Sequence, residues 1–242
     1  MPKKNILVGD DRKDAEGYLT EYFSETKSIP IFAKSPEDAQ DGIRMLKPDF
    51  VFMNADWVDD GMKECLRVYR EKQPAGRCFS LGPPKSADFK WSAQLEVPFD
   101  PKVFRKALFS EITLPAKIKL LVIDDEKGIL DIFKDFFESQ KDPLFEVVIA
   151  GNGLEGFKKM ESLNPDCIVL DIKMPVRSGI EFYGDLNKSG REIPTIVFID
   201  STSPDEISKV RKFGIPSFVE KSGHQSSMPE MLWLVKKLIA FA

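Results

Sequence analysis

The chain has 242 residues, 42% hydrophobic and 31% charged, an ordinary balance for folded protein and enough for one large domain or two of about 120 residues. Its net charge of −4 divides evenly, with 18 basic and 19 acidic side chains in residues 1–115 and 17 against 20 in residues 116–242, which excludes the basic excess of a nucleic-acid binder. There is no run of eighteen apolar residues and no signal-peptide pattern, so a membrane span is excluded and a cytoplasmic protein is expected; Cys65, Cys78 and Cys167 are too scattered for a disulfide framework or a zinc site.

In chain order, Ile6-Leu7-Val8-Gly9 reads as a first strand ending in Asp10 and Asp11, and helical periodicity follows at Tyr18, Leu19, Tyr22 and Phe23. Lys47-Pro48-Asp49 is a turn into the apolar stretch Phe50-Val51-Phe52-Met53, which closes on Asn54. Gly82-Pro83-Pro84 is a strong breaker, so the helix between Leu81 and Leu95 is expected to be cut to a turn or two. Ile112 to Lys117 reads as a linker with its boundary at Pro115; it is short and not Gly/Ser-rich, which limits the orientations it allows.

Beyond the linker, strands are expected near 118–123, 145–149, 166–170, 194–199 and 216–220. Helices are expected near 127–139, 153–162, 179–188, 204–213 and 228–241. This half echoes the first. Lys119-Leu120-Leu121-Val122-Ile123-Asp124-Asp125 repeats residues 5–11 at an offset of 114, and Asn164-Pro165-Asp166 with Cys167-Ile168-Val169-Leu170-Asp171 repeats residues 47–54 at an offset of 117. A repeat of this length is a duplicated domain, placed at 1–114 and 117–242. The single histidine, His224, lies in a Ser/Gly-rich loop and reads as solvated.

Strands alternating with amphipathic helices imply a parallel α/β sheet, and ligands collect beyond the carboxyl ends of such strands. There the second half presents Asp124, Asp125, Asp171 and Lys221. Carboxylates crowded together repel unless a cation neutralises them, and an all-oxygen donor set suits Mg2+. A carboxylate beside Mg2+ and an ammonium can attack phosphorus and form an aspartyl phosphate.

Val122-Ile123-Asp124-Asp125-Glu126, Val169-Leu170-Asp171-Ile172-Lys173-Met174-Pro175 with Gly179 following, and Phe218-Val219-Glu220-Lys221 together resemble a response-regulator receiver domain. The resemblance covers the second half and recurs, weakened, in the first. It implies two flavodoxin-like (βα)5 domains, each a five-stranded parallel sheet with helices on both faces. It further implies Asp171 as phosphoacceptor, Asp124, Asp125 and the backbone carbonyl of Lys173 as Mg2+ ligands with Asp171, and Lys221 paired to the phosphoryl group.

The resemblance also exposes departures. Asn54 stands where Asp171 does and Val97 where Lys221 does, so residues 1–114 are read as a pseudo-receiver, with Asp56 as a weak stand-in acceptor. The family's switch hydroxyl falls on Ile199, followed by Asp200, and Ser201 or Thr202 serves only in a shifted loop. Ser222 replaces the proline usual after the lysine. The expected function is two-component signalling without a separate output domain. A histidine kinase or phosphotransfer protein is the donor, and an unidentified protein partner reads the face of the fourth helix, fifth strand and last helix, where Trp233 lies. Self-phosphorylation and autodephosphorylation are the only enzymatic steps expected. A phosphorylation-independent scaffold is the alternative; a phosphohydrolase is disfavoured by Lys173, where such enzymes need a second acid.

Overall fold

Each repeat of the sequence builds its own sheet around a short central strand buried on both faces. The chain divides into two units, Met1–Thr113 with Phe241–Ala242, and Leu114–Ala240. The computed structural model describes residues 3–199, 204–214, 216–221 and 228–241. Asp200, Ser201, Thr202, Ser222 and His224, each given a reading above, lie outside the described residues.

In the first unit the order is β1 (Ile6–Gly9), α1 (Lys13–Phe23), β2 (Pro30–Ala33), α2 (Pro36–Leu46), β3 (Phe50–Asn54), α3 (Asp60–Lys72), β4 (Arg77–Leu81), β5 (Ala93–Leu95) and α4 (Pro101–Ser110). In the second it is β6 (Lys117–Ile123), α5 (Lys127–Glu138), β7 (Leu144–Ala150), α6 (Gly153–Leu163), β8 (Cys167–Asp171), α7 (Gly179–Lys188), β9 (Thr195–Ile199), α8 (Pro204–Arg211), β10 (Ser217–Glu220) and α9 (Met228–Ala240). The sheets run β2-β1-β3-β4-β5 and β10-β9-β8-β6-β7, and every pairing is parallel. Both follow the flavodoxin-like order 2-1-3-4-5.

Local chemistry explains why the two halves fold alike. The turns before β3 and β8 each put a residue in the left-handed region, Lys47 at φ 44° and Asn164 at φ 50°. The aspartate after each proline then accepts from the strand beside it: Asp49 Oδ2 from Asn5 N at 2.9 Å, and Asp166 Oδ2 from Lys119 N at 2.8 Å. That bond sets the register of β3 on β1 and of β8 on β6. Ser35 caps α2 and Asn152 caps α6 through side-chain oxygens, and Ser178 and Glu181 form a reciprocal capping box on α7.

β3 and β8 are buried at all five positions, as strands covered by helices on both faces must be. In the second unit Leu120, Val122, Phe133, Val169 and Val235 pack one face of the sheet, and Leu121, Ile123, Leu170, Phe182 and Leu186 pack the other. Full burial of each such side chain is worth about 1.5–3 kcal/mol.

One expectation is corrected. No helical turn forms between β4 and β5 among the described residues. Gly82 leaves β4 at φ 101°, Pro83 and Pro84 supply no N–H donors, and Ser92 N returns to Cys78 O at 2.7 Å. Phe89, 7% exposed, fills the core where a helix would lie. Among its described residues the first unit thus has four α-helices where five were expected.

The three cysteines are buried and unpaired, and burial pushes the Cys78 and Cys167 thiols up to about 12. Among the described residues no helix is long and apolar enough to cross a membrane.

Candidate functional site

Parallel strands carry their carboxyl ends to one side of the sheet, so residues far apart in sequence meet there. Ile123 is level with Leu170, Asp171 with Phe198, and Glu220 with Ile199. That register puts Asp124 one residue past β6, Asp171 at the last position of β8, and Lys221 one residue past β10. The Lys221 N–H donates to Ile199 O at 2.6 Å, which holds the lysine against β9.

The structure brings all four sequence-derived side chains together. Lys221 Nζ lies 3.0 Å from Asp124 Oδ2 and 3.1 Å from Asp171 Oδ1. Asp124, Asp171 and Lys221 are 1%, 3% and 3% exposed, while Asp125 is open to solvent. One ligand oxygen from each of Asp124, Asp125 and Asp171 falls within 4.8 Å of the others. The second oxygen of each buried carboxylate accepts from the backbone two residues on: Asp124 Oδ1 from Glu126 N at 2.9 Å and Asp171 Oδ2 from Lys173 N at 3.0 Å.

Electrostatics make this crevice costly without a further cation. Burial pushes both Asp124 and Asp171 above the ordinary carboxylate range, against the pull of Lys221. Burial acts to lower Lys221, but Asp124 and Asp171 outweigh it and hold the ammonium above its ordinary value. Asp124 Oδ2 is buried and accepts no well-directed hydrogen bond, although Lys221 Nζ is at hydrogen-bonding distance. The contact is therefore an ion pair that leaves a lone pair unused. Three carboxylates facing a single ammonium make an all-oxygen donor set that fits a hard divalent cation such as Mg2+.

The neighbouring loop is shaped by close approach and strain. A Cβ on Gly179 would stand 2.0 Å from Asp171 O, so only glycine lets α7 start against the end of β8. Val176, 83% exposed, is held at φ 69° by the bond from Arg177 N to Pro175 O at 2.8 Å, an uncommon backbone for a β-branched residue. The Lys173 side chain turns to Glu206 Oε1 at 3.3 Å, which ties this loop to the first turn of α8. Ile199 is buried with Ile172, Val197 and Val210. Trp233 is half-buried on α9.

At the same place in the first unit the register matches but the chemistry differs. Gly9 is level with Met53, and Asn54 with Leu81, so Asp10 and Asn54 occupy the places of Asp124 and Asp171. Asn54 Oδ1 accepts from Asp56 N at 3.0 Å, as Asp171 does from Lys173. Asp10 is 1% exposed and is paired with Arg12, whose Nε lies 3.0 and 3.1 Å from its two carboxylate oxygens. Asp56 is largely exposed and pairs with Lys85 at 3.1 Å.

Sequence reasoning missed two participants. Glu126 reaches within 3.8 Å of Lys221 Nζ, and Arg12 neutralises Asp10. The signal was the residue after each Asp-Asp pair, which has opposite sign in the two repeats.

Residues 120–232 match the response regulator receiver domain family. Over 128 residues the chain is 32% identical to protein-glutamate methylesterase/protein-glutamine glutaminase 1 of Syntrophomonas wolfei, a match covering 52% of this chain and 35% of that protein. It is 30% identical over 103 residues to the probable C4-dicarboxylate response regulator DctR of Bacillus subtilis, covering 43% and 45%. Among solved structures, the response regulator domain of Thermotoga maritima CheB is similar at 28% identity and a TM-score of 0.46, covering 50% of this chain and 96% of that one. The chain thus spans between about a third and a half of the length of these two curated relatives.

Proposed function

We propose that the second unit, whose residues 120–232 match the response regulator receiver domain family, accepts a phosphoryl group on Asp171 from a histidine kinase or phosphotransfer protein, and that the chain signals through protein–protein contacts. An Asp171 oxygen attacks phosphorus as the bond from phosphorus to the donor nitrogen breaks, and the electron pair stays on that nitrogen. Lys221 pairs with the transferred oxygens. Mg2+ held by Asp124, Asp125, Asp171 and the Lys173 backbone carbonyl would neutralise the developing charge. The Lys173 N–H bond to Asp171 Oδ2 leaves Oδ1 to react.

The observation that carries this reading is one buried ammonium set at 3.0 and 3.1 Å from carboxylates at the ends of two different strands. A purely structural pair needs one carboxylate. Incubation with Mg2+ and a small phosphodonor, followed by intact mass, tests it. One phosphoryl adduct on the wild type and none on Asp171→Asn is expected, and an unmodified wild type rejects the reading.

A second reading, a scaffold indifferent to phosphorylation, draws on Ile199. An apolar side chain fills the position where the family carries its switch hydroxyl, and it packs into the cluster with Val210 on α8. Partner binding unchanged by phosphodonor, with the adduct present, would favour this reading.

A further inference from the structure

We propose that Arg12 is a built-in counterion that replaces a divalent cation in the first unit, so that this unit neither needs nor accepts one. The inference deepens the reading of that unit as a receiver without phosphoacceptor chemistry.

Asp10 is as deeply buried as Asp124 and sits at the same step of the fold. A carboxylate so placed needs a partner. In the second unit its oxygens divide between a backbone N–H and Lys221, and one remains without a well-directed bond. In the first unit both Asp10 oxygens are satisfied by one residue. Asp10 Oδ1 accepts from Arg12 N at 2.8 Å and from Nε at 3.0 Å, and Oδ2 accepts from Nε at 3.1 Å and from a terminal guanidinium nitrogen. That nitrogen also donates to Leu81 O at 3.1 Å, so the guanidinium bridges the ends of β1 and β4. The planar fork of arginine suits this two-oxygen pairing, and a lysine's point charge does not. The Arg12 guanidinium is itself held above its usual value, first by this hydrogen bond to Asp10.

The charge inventory agrees. Asp124, Asp125, Glu126 and Asp171 against Lys221 leave three net negative charges at the second crevice, whereas Asp10 and Asp11 against Arg12 leave one at the first; Asp56, which also acts on Arg12, is offset by Lys85, and Lys173 by Glu206. Among the described residues, the group of three close potential metal ligands is the one in the second unit. A dication entering the first crevice would meet a guanidinium already bound to the carboxylate it needs.

Counting bound ions on the full chain tests this, with Mn2+ as probe and free ion measured by its paramagnetic resonance. The Asp124→Asn/Asp125→Asn chain is expected to bind none. Adding Arg12→Ser to that chain is expected to uncover a weak site at Asp10 and Asp11. An ion that the Asp124→Asn/Asp125→Asn chain retains and that is lost on adding Asp10→Asn overturns the proposal, and so does a folded Arg12→Ser chain that takes up none. Should Arg12→Ser fail to fold, Arg12→Gln, which keeps a neutral donor to Asp10, takes its place. A wild type that binds no ion would count against Mg2+ in the second unit alone, because the Arg12 arm is read on a chain lacking that site.

Discussion

The crevice at the end of β1 and the one at the end of β6 open with the same pair of aspartates and end in different chemistry. Both first aspartates are buried, both accept from the N–H two residues on, and both stand beside a central strand whose last residue accepts from a backbone N–H in the same way. Around this shared frame the first crevice holds an amide, a valine and an arginine where the second holds a carboxylate, a lysine and a glutamate. The frame depends on apolar strands, Pro-Asp turns and caps, which both halves keep. The reactivity proposed for Asp171 rests on a few side chains at the strand ends, and the first unit keeps the same fold with a different set there.

The sharpest way to break this comparison is to exchange the acceptor residues. Asp171→Asn is expected to abolish phosphoryl labelling, while Asn54→Asp alone gains none, because Val97 cannot pair with phosphate and Arg12 still holds Asp10. Intact mass after phosphodonor treatment reads both; labelling of the Asn54→Asp chain at residue 54 would show that the acceptor alone separates the two crevices.

Next in size is Lys221→Ala. It strands Asp124 and Asp171 without a counterion, and breaking such a buried pair costs about 3–5 kcal/mol. Faster amide hydrogen exchange across β6 and β8, partly reversed by Mg2+, is the expected signature. The same pairs set an alkaline limit. Lys221 stays charged in the folded unit to a higher pH than in the unfolded chain. Its stabilisation is therefore complete below the unfolded value of about 10.4 and is lost as pH rises through the folded one. In metal-free buffer the second unit should lose protection over that range, and the Lys221→Ala chain should lack the transition.

Ile199→Thr is smaller and more pointed. It trades a buried methyl-rich side chain for a hydroxyl at a cost of about 1–2 kcal/mol. If the missing hydroxyl mutes the readout, phosphodonor should change exchange in α8 more in Ile199→Thr than in wild type. Equal changes would remove Ile199 from the explanation. The smallest effect expected is from Val176→Gly, which relieves a β-branched residue at φ 69° and should stabilise the second unit by about 1 kcal/mol. Thermal melting reads it, and no gain would mean the turn is not strained.

Much of this molecule was legible from sequence because its determinants are local. β3 and β8 announce themselves as short apolar runs after a Pro-Asp turn, and the second-unit elements fall within a few residues of their expected bounds. Asp124, Asp125, Asp171 and Lys221 were legible as a group because parallel strands deliver their ends to one side. The helix between β4 and β5 was overestimated, since Gly82-Pro83-Pro84 signals a break without saying whether a turn survives it.

The sequence by itself determined the duplication, the α/β alternation and the four residues of the acidic crevice, because the repeat is an offset between two stretches of chain and parallel strands carry their carboxyl ends to one side. Only the tertiary structure decided that Arg12 closes on Asp10, that Glu126 leans toward Lys221, that Ile199 is locked among apolar neighbours and that Val176 is held at positive φ. A charged residue next to an aspartate reads in a string as a solvated surface group. Whether it becomes the counterion of a buried group depends on which strand ends the register brings beside it.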